Sequence, residues 1–362
     1  MDGSGLRPLA GAAPPSIRPR GGRLAALGLG GLVLALLAGA LLGPAGVSAA
    51  GLLATLAEAL GLAPLPEQHA RDAAVLGVVR APRVLLAAML GAGLAVAGAA
   101  MQGLFRNPLA DPGLIGVSAG AALAAVAATV LGPGLFGAAA GLLGLWLLPV
   151  AAFAGGLGAT LLIARLATRQ GVTGVATLLL AGIAVNALCG ALTGLLVFAA
   201  DDRQVRDITF WTLGSLGGAR WPQLPVAALL VLLPALALLA LARPLNALVL
   251  GEREAFHLGI RVEAAKRWAV LLSAVAVSAG VALAGLVGFV GLVVPHLVRL
   301  ALGADHRIVL PGSAILGAAL MVLADLAARS LAAPAELPVG VVTALVGAPF
   351  FLGLLHRRGA AP

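Results

Sequence analysis

An all-α protein built of membrane-spanning helices is what this chain predicts, on three observations. Of its 362 residues, 61% are hydrophobic and only 10% charged, whereas a soluble domain carries about 25% charged residues to cover its surface. The apolar residues gather into stretches near the ~20 that a helix needs to cross ~30 Å of hydrocarbon. Fifty glycines and no tyrosine suit helices that approach closely through small residues, because in lipid hydrophobicity no longer drives their association. A formal charge of +9 comes without any basic run interleaved with aromatics, so nucleic acid is excluded as a partner. The arginines read instead as the excess carried by loops on one face of a bilayer. The one cysteine, Cys189, excludes a disulfide framework and a Cys-rich metal site.

Residues 1–22 hold Pro8, Pro14, Pro15 and Pro19 among Arg7, Arg18 and Arg20, which predicts a flexible basic tail on the cytoplasmic side. The apolar run 24–42 is too long for the usual ~7–15 residue core of a signal peptide and opens a membrane domain over 23–358. The stretch 47–62 is apolar apart from Glu58. A lone carboxylate in hydrocarbon is costly, so the stretch reads as an amphipathic helix on the outer face. Further spans fall at 84–105, 113–131, 142–164, 174–199 and 224–242. The stretch 268–303 would measure roughly 54 Å as one helix, too long for a single crossing. Gly285, Gly288 and Gly291 are where it breaks into a long span and a short one carrying Pro295, His296 and Arg299. Spans at 308–328 and 338–355 bring the count to ten, and 359–362 is a short tail.

With both ends inside, sixteen of the 23 lysines and arginines fall on the inner side and seven on the outer, the asymmetry expected of cytoplasmic loops. Between the second and third spans, 102–118 reads QGLFRNPLADPGLIGVS. Pro108 and Pro112 prevent a simple helix, and Asn107 and Asp111 offer side-chain oxygens to the freed backbone. Non-helical chain at membrane depth survives only when buried in protein or lining a water-filled cavity. The segment is a candidate pore element, or, if it lies outside the bilayer, an ordinary solvated turn.

No enzymatic site assembles. Lys266, the one lysine, follows VEAA rather than a glycine-rich loop, so ATP cannot be cradled in that way. The run MVLAD at 321–325 therefore lacks its partner motif. Asp201 and Asp202 have no second acidic cluster, and HExxH and GxSxG are absent. His69, His257, His296, His306 and His356 lie on separate segments. No catalytic residue, metal site or bound cofactor is expected of this chain. The longest charged inner loop, 243–267, places Leu248, Ala255 and Leu258 near one helical face and Glu252, Arg253 and Glu254 on another. Such a helix, about 246–265, lies along a surface; its acidic pair weakens attraction to anionic headgroups, which leaves a protein as the preferred contact.

Five motifs then occur in order: RAPR at 80–83; Gln102 with FRNPLA at 105–110; LGE at 250–252 with Leu258 and Gly259; GFVGLVVPH at 288–296; and AELPVG at 335–340. Across about 80–356 the chain resembles the FecCD-type permeases, the ten-span membrane subunits of binding-protein-dependent ABC importers for iron–siderophore complexes, haem and cobalamin. The resemblance implies a homodimer around a central translocation path in the bacterial inner membrane, with both termini cytoplasmic. It also implies two separate cytoplasmic ATP-binding cassette subunits, which would hold ATP and Mg²⁺, and a periplasmic binding protein. Carried over motif by motif, Leu250, Gly251, Glu252, Ala255, Leu258 and Gly259 form the element coupled to the ATPase. Arg80, Arg83 and Arg329 receive acidic residues of the binding protein. Gln102, Asn107, Pro108 and Leu109 belong to the path and its main inner gate, Thr173 and Gly174 to a second inner gate, and Ala200 and Asp201 to the outer gate. There the sequence, AADDRQVRD, is more charged than the family pattern, which leaves the outer-gate residues open. The wording DPGLIGVS at 111–118 looks most like the haem branch, whereas Val-Pro-His belongs to the whole family. Haem is the expected cargo, with siderophore or cobalamin as alternatives. An ion-coupled secondary transporter is the reading from a different class, for which only Asp325 and His296 come near qualifying as a coupling site.

Overall fold

The computed structural model describes residues 18–143 and 146–359. Of the expected N-terminal tail, 1–17 lie outside the described residues, and 18–22 are helical, so the first helix starts earlier than its apolar run; 360–362 also lie outside. Fourteen helices follow in order: α1 (Arg18–Leu41), α2 (Ala49–Ala59), α3 (Glu67–Leu104), α4 (Val117–Leu143), α5 (Leu147–Ala167), α6 (Val175–Phe198), α7 (Asp202–Thr212), α8 (Gln223–Leu239), α9 (Ala242–Leu250), α10 (Glu252–His257), α11 (Val262–Ala284), α12 (Val290–Leu302), α13 (His306–Ser330) and α14 (Val339–Gly359). A two-stranded hairpin, β1 (Thr168–Arg169) and β2 (Val172–Thr173), joins α5 to α6.

This is an all-α polytopic membrane protein. Among the described residues five helices are long and apolar enough to cross a bilayer, α3, α5, α6, α11 and α13, and α8 with α9, bent by 57°, adds a sixth if counted as one span. Shorter apolar helices lie at Ala26–Leu41, Ala49–Ala59, Val117–Gly132, Val290–Leu302 and Val339–Gly353. The ten segments read as spans overlap the described helices, with 144–145 of the segment read at 142–164 lying outside the described residues. The stretch 47–62 forms α2, whose 11 residues rise only ~16 Å, about half of a hydrocarbon core. It packs beside the start of α3, where the Ser48 hydroxyl donates to Asp72 Oδ2 at 2.7 Å.

The long apolar stretch breaks where the sequence requires, between Ala284 and Val290. Gly285 (φ 72°) and Phe289 (φ 67°) bound the non-helical turn, and Gly291 sits inside α12 rather than in the break. Burial divides the helices sharply. In the apolar windows of α3, α11 and α13, 78%, 67% and 56% of residues are buried, against 22% in both α5 and α6, so the first three form the core and the other two present apolar surface outward. Two core helices approach closely at Gly91 of α3 and Gly317 of α13, where a Cβ on either would collide with the other's carbonyl oxygen. Small residues of this kind let helices in lipid gain dispersion contact that larger side chains would prevent.

Candidate functional site

Polar side chains concentrate at the two ends of the helical body, which α11 connects over ~34 Å. One end carries the three arginines expected to meet a binding protein. They are buried: Arg80, Arg83 and Arg329 are 3%, 6% and 5% exposed. Arg80 donates through Nη1 to the carbonyls of Ala40 (2.7 Å) and Leu42 (2.8 Å), and through Nη2 to Ala45 O. Arg329 donates to Gly39 O. These are carbonyls at and just beyond the C-terminus of α1, which lack intrahelical partners. Arg83 pairs through Nε with Asp325 Oδ1 (2.8 Å) and through Nη1 with Glu336 (2.9 Å), and Arg329 Nε lies 3.4 Å from Asp325 Oδ2. The expectation of a solvent-facing arginine patch is corrected accordingly. The charge that sequence reading took for a surface serves an internal knot among α1, α3 and α13, and its counter-ion, Asp325, lies 242 positions from Arg83.

At the opposite end, the hairpin turns through Gln170 (φ 52°) and Gly171 (φ 82°), both central residues having the positive φ of a two-residue hairpin loop. Thr168 faces Thr173 in register, their hydroxyls 3.0 Å apart, and Gly174 N donates to Ala167 O at 3.1 Å. Lys266, 1% exposed, lies beneath. Its ammonium donates to Thr173 O at 2.7 Å and approaches Glu252 Oε2 at 2.9 Å and Glu263 Oε1 at 2.6 Å. Glu263 Oε2 in turn accepts from Thr173 N at 2.9 Å. An ammonium has three protons, and three oxygens take them. The structure therefore joins the expected second gate (Thr173, Gly174) to the expected coupling element (Glu252) through a residue the sequence reading used only to exclude a phosphate loop. The available signal was Glu263 three residues before a lone lysine, a helical neighbour spacing.

The segment expected to couple to the ATPase is broken into separate helices rather than one. Gly251 (φ 131°) separates α9 from α10, and Gly259 (φ 76°) ends α10 beyond its cap. At Gly251 a side chain would meet both a positive φ and the Glu254 carboxylate. Leu248 and Ala255 are buried as expected, but Leu258 is exposed, a correction to the single amphipathic face, because α10 ends at His257 and Leu258 caps it outside the helical phase. Leu250, Phe256 and Leu258 consequently stand out from this corner among Arg253, Glu254 and His257.

Between α3 and α4 the chain turns back into the body. Asn107 Oδ1 accepts from Leu109 N (2.9 Å), and Asp111 Oδ1 from Gly113 N (2.7 Å), as the prolines require. A single 3₁₀ turn, Pro112–Ile115, ends at Gly116 (φ 84°). The turn is seated deep. A Cβ on Gly182, about 10 Å along α6, would strike Leu114 O, and one on Gly291 would press Pro112. Arg106 and Asn107 stay exposed whereas Ala110, Pro112 and Ile115 are buried, so the segment runs from an exposed loop into the protein interior. Gln102 is buried, with Nε2 donating to Leu292 O at 3.2 Å and Oε1 accepting from Arg299. Gln102, Asn107, Pro108, Asn246, Arg299 and His306 line a cavity of about 580 Å³ at the end nearest Lys266. Beside it His306 Nδ1 lies 2.8 Å from Asn246 Oδ1, and Asn246 Nδ2 donates to Asp305 Oδ1 at 2.6 Å. The Arg307 backbone N–H and the Asn246 amide hold the Asp305 carboxyl below its usual range.

Ala200 and Asp201 lie at the arginine end. Asp201 is the N-cap of α7, in a reciprocal capping box with Gln204, and Gln204 Nε2 reaches Thr129 O at 3.3 Å. Among the described residues no three of His, Cys, Asp and Glu converge as a metal-binding group.

A helical body with an apolar exterior, a non-helical turn seated against α6 and α12, and a cavity at one end defines a polytopic membrane permease. The chain belongs to the FecCD transport family, which matches residues 31–357. It is 51% identical over 280 residues to the haemin transport system permease HmuU of Yersinia pestis, covering 77% of this chain and 82% of that one. It is 46% identical over 284 residues to the cobalamin import permease BtuC of Halobacterium salinarum (78% and 74% covered), and 43% over 282 residues to the vitamin B12 import permease BtuC of Escherichia coli (78% and 83%). A solved inward-facing transporter assigned to the metal-chelate ABC type superposes with a TM-score of 0.77 at 33% identity, covering 91% of this chain and 98% of that one.

Proposed function

We propose that this chain is the membrane permease of an ATP-driven importer that carries haem from the periplasm to the cytoplasm across the bacterial inner membrane. Two copies, each with ten crossings and cytoplasmic termini, enclose the path. The sparsely buried apolar face of α6 is available to the second copy. The end with Lys266 is cytoplasmic. There two separate ATP-binding cassette subunits, which hold ATP and Mg²⁺, seat on α9 and α10, and a periplasmic binding protein docks at the arginine end. The observation that carries the reading is the corner at Gly251. A short helix exposes Leu250, Phe256 and Leu258 beside charge, in a position tied to the hairpin and next to the cavity. Asn107, Pro108 and Leu109 then act as the main inner gate, Thr173 and Gly174 as the second, and Ala200 and Asp201 as part of the outer gate.

The haemin permease relative supports haem as cargo. Cobalamin is the second reading, favoured by the two cobalamin permeases at 46% and 43% identity. Ion-coupled transport is disfavoured because Asp325, a candidate coupling carboxylate, is paired with Arg83 and Arg329. The test is uptake into proteoliposomes holding the chain with its ATPase and binding protein. Haem uptake is expected to need ATP, to survive collapse of the proton gradient, and to resist competition by cobalamin or ferric siderophore. Uptake driven by the gradient without ATP overturns the importer reading; displacement by cobalamin transfers the cargo to the second.

A further inference from the structure

We propose that Lys266 is the positioning residue that makes the β1–β2 hairpin follow α10, so that a push on the helix reaches the gate. The inference rests on the reading of α10 as the seat of the ATPase. Among the described residues no hydrogen bond runs directly between α10 and the hairpin. Beyond the turns that flank it, the hairpin is fastened by two contacts: Thr173 O to Lys266 Nζ at 2.7 Å, and Thr173 N to Glu263 Oε2 at 2.9 Å. Both backbone groups of one residue are thus gripped by neighbours on α11. From the same ammonium a third contact, 2.9 Å, runs to Glu252 in the first turn of α10. Helix and hairpin therefore share one buried atom.

The chemistry suits the task. An ammonium on a flexible stem directs three donors to acceptors on three segments, whereas the planar fork of arginine is built for two parallel acceptors. With the ammonium 1% exposed, solvent cannot replace the lost contact as it would at a surface pair. Displacement of Glu252 would leave the ammonium short of an acceptor unless the Lys266 side chain moved too, and Thr173 would be drawn with it.

The experiment places spin labels on Gln170→Cys and Arg253→Cys in a Cys189→Ser background and measures the distance between hairpin and helix. The unsubstituted Lys266 chain is expected to give one narrow distribution, kept when the assembled transporter cycles nucleotide. Lys266→Met is expected to broaden it and to lower haem moved per ATP hydrolysed by roughly tenfold, within the range usual for site-to-site coupling. Lys266→Arg is expected to restore the charge but only part of the narrowing. Glu252→Ala, which removes the α10 contact alone from a partly exposed position, gives the same readout should Lys266→Met fail to fold. A narrow, unchanged distribution with normal transport per ATP overturns the proposal. Labels in the permease alone report on the tie without any ATPase. A broadened distribution in an assembly whose α10 does not touch the ATPase would retain the tie and reject the reading of α10.

Discussion

The two ends of the molecule use buried charge for opposite purposes. At the arginine end, Arg83 and Arg329 flank Asp325 while Arg80 closes the last carbonyls of α1, so charge fastens long helices to one another. At the other end, Lys266 fastens a two-turn helix to a two-stranded hairpin, elements too small to hold position by burial. The difference teaches that a buried ion pair is read by what it joins. Between long helices it specifies a fixed arrangement; between small exposed elements it transmits displacement.

The sharpest way to break this contrast is Asp325→Ala, which removes the buried carboxylate shared by Arg83 and Arg329 and leaves Arg83 only the partly exposed Glu336 and Arg329 only a backbone carbonyl. A loss of about 3–5 kcal/mol is expected, seen as collapse of the monodisperse fraction and of the thermal unfolding midpoint in detergent. Unchanged stability would mean that the arginine end is not fastened by charge. Next, Glu252→Arg puts a second cation against Lys266. The chain should still insert and purify, but co-purification of the ATPase or its stimulation by loaded binding protein should be lost, and normal stimulation would remove α10 from the coupling path. Smaller still is Asp305→Ala, which removes the N-cap of α13 at a cost of about 1 kcal/mol. Because the folded Asp305 carboxyl ionises below its ordinary value, its contribution is full above about pH 4 and fades as pH falls through the folded value. The acid limb of the unfolding profile should flatten in the variant. The least effect on stability, within about 0.5 kcal/mol, is expected from Arg203→Glu with Arg206→Glu, exposed on α7 at the arginine end. Since the three buried arginines are engaged internally, these residues sharpen the comparison: their reversal should weaken binding-protein association in a salt-dependent way. A loss independent of salt would point away from charge steering.

Hydropathy made the helical segments legible, because the burial of a ~20-residue stretch in lipid depends on that stretch alone. The break after Ala284 was legible for the same kind of reason: one helix of that length does not fit a bilayer. Asn107 and Asp111 were read correctly because an oxygen two residues before a backbone N–H is a local geometry. The arginines misled. Their excess reports sidedness but not whether a given guanidinium points outward, and Arg83 finds Asp325 only after α3 and α13 pack.

What the sequence determined by itself was the membrane class, the order of helices, the non-helical turn between α3 and α4 and the family motifs, all functions of short-range pattern. What only the tertiary structure decided was the pairing of Arg83 with Asp325 across 242 positions at one end and the seating of the Lys266 ammonium on the Thr173 carbonyl across 93 at the other. The physical reason is that desolvation makes an unpaired buried charge intolerable, while the identity of its partner depends on which helices meet.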